Sequence, residues 1–471
     1  MTGPAQASPE QGRFLTGSTM GHVVRMTMTG AMGITFVFLV DAANLFWISQ
    51  LGEPQLVAAV GFAFAIQFFS VSVGIGLMIA SNALVARAIG EGNREDARRI
   101  ATSSAIIACL VQACVAAVII VFRHDIIAFT GARGETAALA ARYLSLTVPS
   151  LTIMAISLTA SGAIRAYGDG ARSMYVTLTS GAVSMFVDPT LIYALGLGLD
   201  GAAIGLNLSR TVMLVMALRF AIGTHGLFAR PDLSDTLSRA GGYLKYSLPA
   251  ILAQLATPTG NYLMTSVMSQ FGDESVAGWA VVGRMTTVAF GGIFSLSGAI
   301  GGIFGQNFGA RRFDRVQATY RDAILFGVAY TLVTWLVLYA LSGWVIKGFG
   351  LTPDGARVVD AFVTVGVAGF VFAAALFVSN AAFNALGRPT RSAGVNWLRD
   401  GVLTLPFAIV LAGWMGSGGV IYAQALASAL VGTGAAWWGW VYVRQLKRRQ
   451  FRPLELEPAR PYANADRFRR R

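Results

Sequence analysis

Apolar residues come in long blocks along this chain, with short polar connections between them. The blocks fall at about 22–50, 54–82, 100–122, 137–165, 172–197 and 200–223, then at about 243–271, 275–306, 319–343, 356–386, 393–413 and 418–443. Blocks of about 20 residues suit helices crossing ~30 Å of hydrocarbon. Barrel strands would instead alternate strictly over ~10 residues, and that alternation is missing. The pattern predicts an all-α membrane protein with twelve transmembrane helices. A basic, proline-containing stretch at 224–242 separates the sixth block from the seventh. It reads as a cytoplasmic linker between an N-terminal six-helix bundle (22–223) and a C-terminal one (243–443). Residues 1–21 and the basic 444–471 read as disordered cytoplasmic tails, and the first of them lacks the layout of a cleavable signal peptide.

The two halves repeat. SQLGEPQLVAAV at Ser49 resembles SQFGDESVAGWA at Ser269, an offset of 220 residues. ARAIGEGNREDAR at Ala86 resembles GQNFGARRFDRVQ at Gly305, and AIRAYGDGARS at Ala163 resembles AFNALGRPTRS at Ala382, each offset by 219. A constant offset over three separated segments marks a duplication. With six spans per repeat, the second half starts on the same face as the first. The bundles are then parallel repeats about an axis along the membrane normal, with a central cavity between them.

Charge adds orientation. Only 13% of the 471 residues are charged, the mean hydropathy is +0.60 and the net charge is +13. The bases gather in alternate connections: Arg87, Arg94, Arg98 and Arg99, then Arg165 and Arg172, then Arg311, Arg312, Arg315 and Arg321, then Arg388 and Arg391. The others are poorer in bases: Glu53, Asp200, Asp273 and Glu274 lie there, with a few bases in the third and ninth (Arg123, Arg133, Lys347 and Arg357). By the positive-inside rule both termini are expected in the cytoplasm. The positive charge fits attraction to the lipid bilayer rather than to nucleic acid. Cys109 and Cys114 form no disulfide framework. The three histidines form no metal motif, and neither a Walker A motif nor GxGxxG occurs. No cofactor is expected, and transport would draw on an ion gradient.

The chemistry sits in a few polar residues inside apolar blocks. Asp41 lies in VFLVDAANLFWISQLG, and Asn44, three residues on, shares its helix face. A buried acid in a span is kept because it is paired or because it faces a water-filled path. Asp188 in SMFVDPTLIYALGLG is the second such acid, with Ser184 one turn before it and Pro189 after it. Two carboxylates in a poorly hydrated pocket resist ionising together. Asp41 and Asp188 are therefore the expected coupling carboxylates, for H+ or Na+, supported by Asn44, Ser184 and Asn207. A buried, satisfied polar pair explains the same residues without transport. In the second half Gln254, Asn261, Arg284 and Asp400 are candidate cavity residues. Asn261 occupies the repeat position of Asp41, Arg284 is the deep base, and Asp400 could pair locally with Arg399.

GQNFGARRFDRV, ARAIGEGNREDARR, VDPTLIYALGLGLDGAAIG and the Leu51-Gly52 that closes the first span resemble the multidrug and toxic compound extrusion (MATE) family over about 21–448. The resemblance implies two six-helix bundles around a V-shaped cavity, and proton- or sodium-coupled efflux of small organic, often cationic compounds. The family reads Asn-x-x-Asp late in its first span, where this chain has Asp41-x-x-Asn44; it has Asn where this chain has Ser184, and Pro near Thr29. The expected function is a secondary active antiporter of the inner (plasma) membrane, working as a monomer. Rivals are a lipid-linked oligosaccharide flippase, which needs a strongly cationic cavity, and an intramembrane enzyme, which needs convergent side chains that the spans lack.

Overall fold

The structure, a computed structural model, describes residues 12–446; the rest of both expected tails lies outside the described residues. Among the described residues the chain is helical, with no strand. The spans are α1 (Thr19–Ser49), α2 (Pro54–Gly90), α3 (Arg94–Val121), α4 (Gly134–Thr147 and Ser150–Tyr167), α5 (Gly170–Pro189) and α6 (Gly198–Leu218). The second half has α7 (Leu233–Met268), α8 (Asp273–Ala289 and Gly291–Gly309), α9 (Phe313–Gly348), α10 (Pro353–Thr364 and Gly369–Ala385), α11 (Pro389–Trp397 and Thr404–Met415) and α12 (Ser417–Gln445).

Eight of these spans are long and apolar enough to cross a membrane alone, and the bent pairs of α4 (49°) and α8 (44°) bring the number to ten. The remaining two, α5 and α7, carry the polar load. α5 holds Asp188 and Pro189, and α7 holds Pro249 and Pro258. Their places in the repeat complete the twelve-helix, two-lobe fold. The break in α4 falls at Pro149, whose missing N–H and ring end the helix before it.

Two boundaries differ from the sequence expectation. α7 begins at Leu233 rather than 243, because Asp232 caps it, accepting from the backbone N–H of Ser234 at 2.9 Å. The linker therefore shortens to about 225–232. The segment just before α1 is not a loose tail either. Residues Arg13–Leu15 form a 3-10 turn with Phe14 and Leu15 buried. The Phe14 N–H donates to Gln306 Oε1 at 2.9 Å, and Arg315 and Arg312 donate to the Phe14 and Leu15 carbonyls at 2.8 and 2.7 Å.

The lobes meet through α1 and α2 of the first half and α7 and α8 of the second, in exchanged pairs: α1 on α8, α7 on α2, and α2 on α8. Contact is concentrated toward the arginine-rich end and reaches mid-span, where Gly291 packs on Thr35. Asn82 donates to the Gly298 carbonyl (3.0 Å), Ser295 to Thr27 (2.9 Å), Gln306 to Ala166 (2.6 Å) and Tyr243 to Leu77 (2.7 Å). Among the described residues, no hydrogen bond joins the lobes at the end bearing Glu53, Asp200 and Asp273. The lobes thus enclose a cleft that opens toward the acidic end. Phe14 shares one apolar cluster with Val316, with Tyr442 and Val443 of α12 and with Leu446 just after it, so both described ends of the chain lie on the sealed, basic side.

A polar knot lies at the same basic end, within the first lobe. Asp169, at the turn into α5, accepts from His225 at 3.1 Å and pairs with Arg172 at 2.5 Å. Arg13 lies over the Tyr167 ring, which packs on His225. Burial pushes the Asp169 carboxyl up, but the Arg172 backbone and guanidinium and the His225 ring more than offset it, leaving it below its usual range. Burial, with Arg172 and Arg13, holds His225 below its usual range against the pull of Asp169.

Candidate functional site

Small residues set how deeply the first-lobe helices approach. Gly181 of α5 lies against Phe36 and Val40 of α1, with room for no side chain of its own. Gly205 of α6 packs directly on the Asp188 carboxylate. Ser180 of α5 donates to the Ser209 carbonyl of α6 at 2.8 Å. Val40 thereby stands level with Gly181, and Ser180 with Ser209.

One turn further toward the acidic end, Asn44 Nδ2 donates to Asp188 Oδ2 at 3.0 Å and Ser184 Oγ donates to the same oxygen at 2.5 Å. Asp188 is buried, and its Oδ1 has no hydrogen-bond partner. The expected cluster of Asn44, Ser184 and Asp188 is therefore assembled. Ser184 does for Asp188 what a longer amide would do from the same position.

Asp41 does not join it. It is half-buried and makes no hydrogen bond or ion pair among the described residues. The charge it meets through space is that of Arg210 on α6, one residue after Ser209. Arg210 is buried and donates to the Thr147 carbonyl (2.9 Å), Ser150 Oγ (2.8 Å) and Gln67 Oε1 (2.9 Å). It thus binds the Thr147 carbonyl and the Ser150 hydroxyl at the break in α4, where Ser150 Oγ itself donates to Thr147 O at 2.8 Å. Tyr143 lies within electrostatic reach of Arg210, Asp188 and Asp41. Asn207 is not part of the carboxylate cluster. It donates to the Leu146 carbonyl at 2.8 Å, just before the same break, because backbone carbonyls orphaned in a span need a donor from a neighbouring helix.

The second lobe is built differently. Asp400 pairs with Arg399 through two bonds, 2.7 and 2.9 Å, on a wide π-helical turn at Leu398–Leu403, and Gly260 of α7 packs on it. Thr257 donates to Asp400 at 3.5 Å. Gln254 is half-buried and Asn261 is exposed, neither bonding through its side chain. Arg284 is not deep: it is exposed on α8. The four candidates thus form no single site. The deep bases are Arg210 and Arg399, and sequence reasoning weighed neither as a site residue. The signal for Arg210 is a lone base in GLNLSRTVML, an otherwise uncharged, largely apolar stretch. Among the described residues no three His, Cys, Asp or Glu side chains are placed to hold a metal ion.

Comparison with known proteins fits this architecture. The chain is 23% identical to the FAD transporter of Shewanella oneidensis strain MR-1 over 427 residues, covering 89% of this chain and 94% of the relative. It is 20% identical to the multidrug export protein MepA of Staphylococcus aureus over 401 residues, covering 83% and 87%. The fold superposes with a TM-score of 0.86 on the outward-facing conformation of a multidrug-resistance MATE transporter of the MOP superfamily, at 21% identity, covering 94% of this chain and all of that one. The MatE family model matches residues 31–190 and 249–410, one match in each half of the duplication. These matched halves, with the two-lobe fold around an open cleft, make the chain a multi-pass membrane transporter and a member of the MATE family.

Proposed function

We propose that this protein is a secondary active antiporter that exports small organic, cationic compounds in exchange for protons or sodium ions. The observation that carries the reading is the first-lobe site: two span-embedded acids, Asp188 with an unpartnered oxygen and Asp41 with no hydrogen bond, beside a cleft sealed at one end. Acids embedded in membrane spans mark ion and substrate paths. With the arginine-rich end in the cytoplasm, as the positive-inside rule directs, the cleft faces outward. The protein would then sit in the plasma membrane as a monomer, its basic rim against lipid. The relatives' names span a flavin dinucleotide and drugs, so this reading takes the substrate as an organic compound held in the cleft.

A flippase reading lacks support. Arg210 and Arg399 are deep bases, but three protein acceptors hold the first and Asp400 holds the second. The cleft therefore presents no strongly cationic wall. Efflux of ethidium from proteoliposomes under an imposed pH or sodium gradient tests the proposal. Asp41→Asn and Asp188→Asn keep side-chain shape and remove the titrating group. Both are expected to abolish gradient-driven efflux at normal expression. Wild-type rates in both variants would make the acids structural.

A further inference from the structure

A buried guanidinium in a membrane span is costly unless its charge is matched. Arg210 has five N–H donors and meets only neutral acceptors: the Thr147 carbonyl, Ser150 Oγ and Gln67 Oε1. The groups facing it come from every helix packed around it: Asp41 on α1, Gln67 on α2, Tyr143 and Thr147 on the first part of α4, and Ser150 on the second. Asp188 on α5 lies one turn away, bound to Asn44 and Ser184. Tyrosine is neutral at physiological pH, so Asp41 supplies the counter-charge.

The oxygens around the site are mostly taken. Arg210 holds three, Gln67 Nε2 donates to Thr147 Oγ1 at 3.1 Å, and Asp188 Oδ2 receives two donors. Of the carboxylate oxygens there, those of Asp41 and Asp188 Oδ1 receive no donor, the latter walled off by Gly205. A proton needs one oxygen. A hard cation such as sodium needs a shell of several to replace its water, and the guanidinium occupies the oxygens that would form it. We propose that Arg210 is a fixed internal cation that reserves the first-lobe site for a proton and keeps sodium out. Arg210 is a positioning residue in this scheme, acting through Asp41 and through the acceptors it holds. The inference rests on the antiport reading and narrows its coupling ion.

The test uses purified full-length protein. Thermal unfolding is followed at pH 8 in sodium chloride and in choline chloride, and ethidium efflux is followed in proteoliposomes under a pH or a sodium gradient. The wild type is expected to melt at the same temperature in both salts and to pump only with the pH gradient. Arg210→Gln frees the three oxygens. It is expected to melt higher in sodium than in choline, and Asp41→Asn in the same background should erase that difference. Should Arg210→Gln not reach the membrane, Arg210→Lys, which keeps the charge but reaches fewer acceptors, should show the same response more weakly. Sodium stabilisation of the wild type, or a folded Arg210 variant blind to sodium, would overturn the proposal. Efflux by the wild type under neither gradient would instead overturn the antiport reading.

Discussion

Gly90→Ala tests whether the sealed end is the surface across which the lobes must part. Gly90 ends α2 where it crosses α8. A Cβ there would lie deep inside the Gln306 carbonyl, with its carbon and Cα at 2.7 Å. Backbone cannot rotate away as a side-chain tip can. Gln306 is held besides, by the Phe14 N–H at 2.9 Å and by donation to the Ala166 carbonyl at 2.6 Å. Gly305 against Ala86 and Gly309 against Arg87 make the rest of the same close crossing. The added methyl therefore strains the sealed state and is relieved when the lobes separate. Overpacking of this kind costs about 1–3 kcal/mol. A cost of ~2 kcal/mol shifts the equilibrium about 30-fold toward the state open at the basic end. In a background with Cys109 and Cys114 replaced by serine, a cysteine at Ala83, buried against Gly305, reports on opening. Its maleimide labelling rate from the arginine-rich side should rise by a similar factor, while net efflux falls because the sealed state is scarce. Unchanged labelling in a folded Gly90→Ala protein would refute the idea that this crossing is the moving seal.

Other outcomes follow from the same geometry. Exchanging Asp41→Asn with Asn44→Asp would set a carboxylate beside Asp188 Oδ2, where Asn44 now donates at 3.0 Å, and would leave Arg210 facing an amide. The double variant is expected to pump no better than Asp41→Asn alone; recovery of efflux would mean that helix face, not depth, defines the site. The first-lobe knot should also weaken in acid. His225, held below its usual value of 6.5, favours the folded state when neutral, so its contribution is lost as pH falls below ~6.5. Asp169 is likewise depressed, and its contribution, present above its ordinary value near 3.8, disappears only at still lower pH. The melting temperature should therefore fall between pH 7.5 and 5.5 in the wild type and fall less in His225→Gln. Equal slopes would show that the knot does not respond to His225.

Much of the architecture was legible in the chain itself. Hydrocarbon thickness sets the length of an apolar block, and the 219–220-residue offset sets the symmetry, so twelve spans in two lobes needed no coordinates. The acids stood out because a carboxylate inside apolar sequence is costly. Depth did not. Asp41 and Asn44 share a helix face, and periodicity cannot say which of them meets Asp188. That was decided by how far α1 slides along α5 before Phe36 and Val40 lodge on Gly181, a contact between residues about 140 positions apart. Arg210 stayed hidden for the same reason. A lone base in an apolar block reads alike whether it snorkels to lipid headgroups or binds Gln67, Thr147 and Ser150 across three helices. Asn207 looked like part of the acid cluster, and only the break at Pro149 shows that it serves a freed carbonyl instead. The N-terminal turn looked unstructured because its partners, Gln306, Arg312 and Arg315, lie nearly 300 residues away. Local sequence sets which segments cross the membrane. Which polar groups meet inside it depends on packing between distant helices, where each buried donor must find an acceptor.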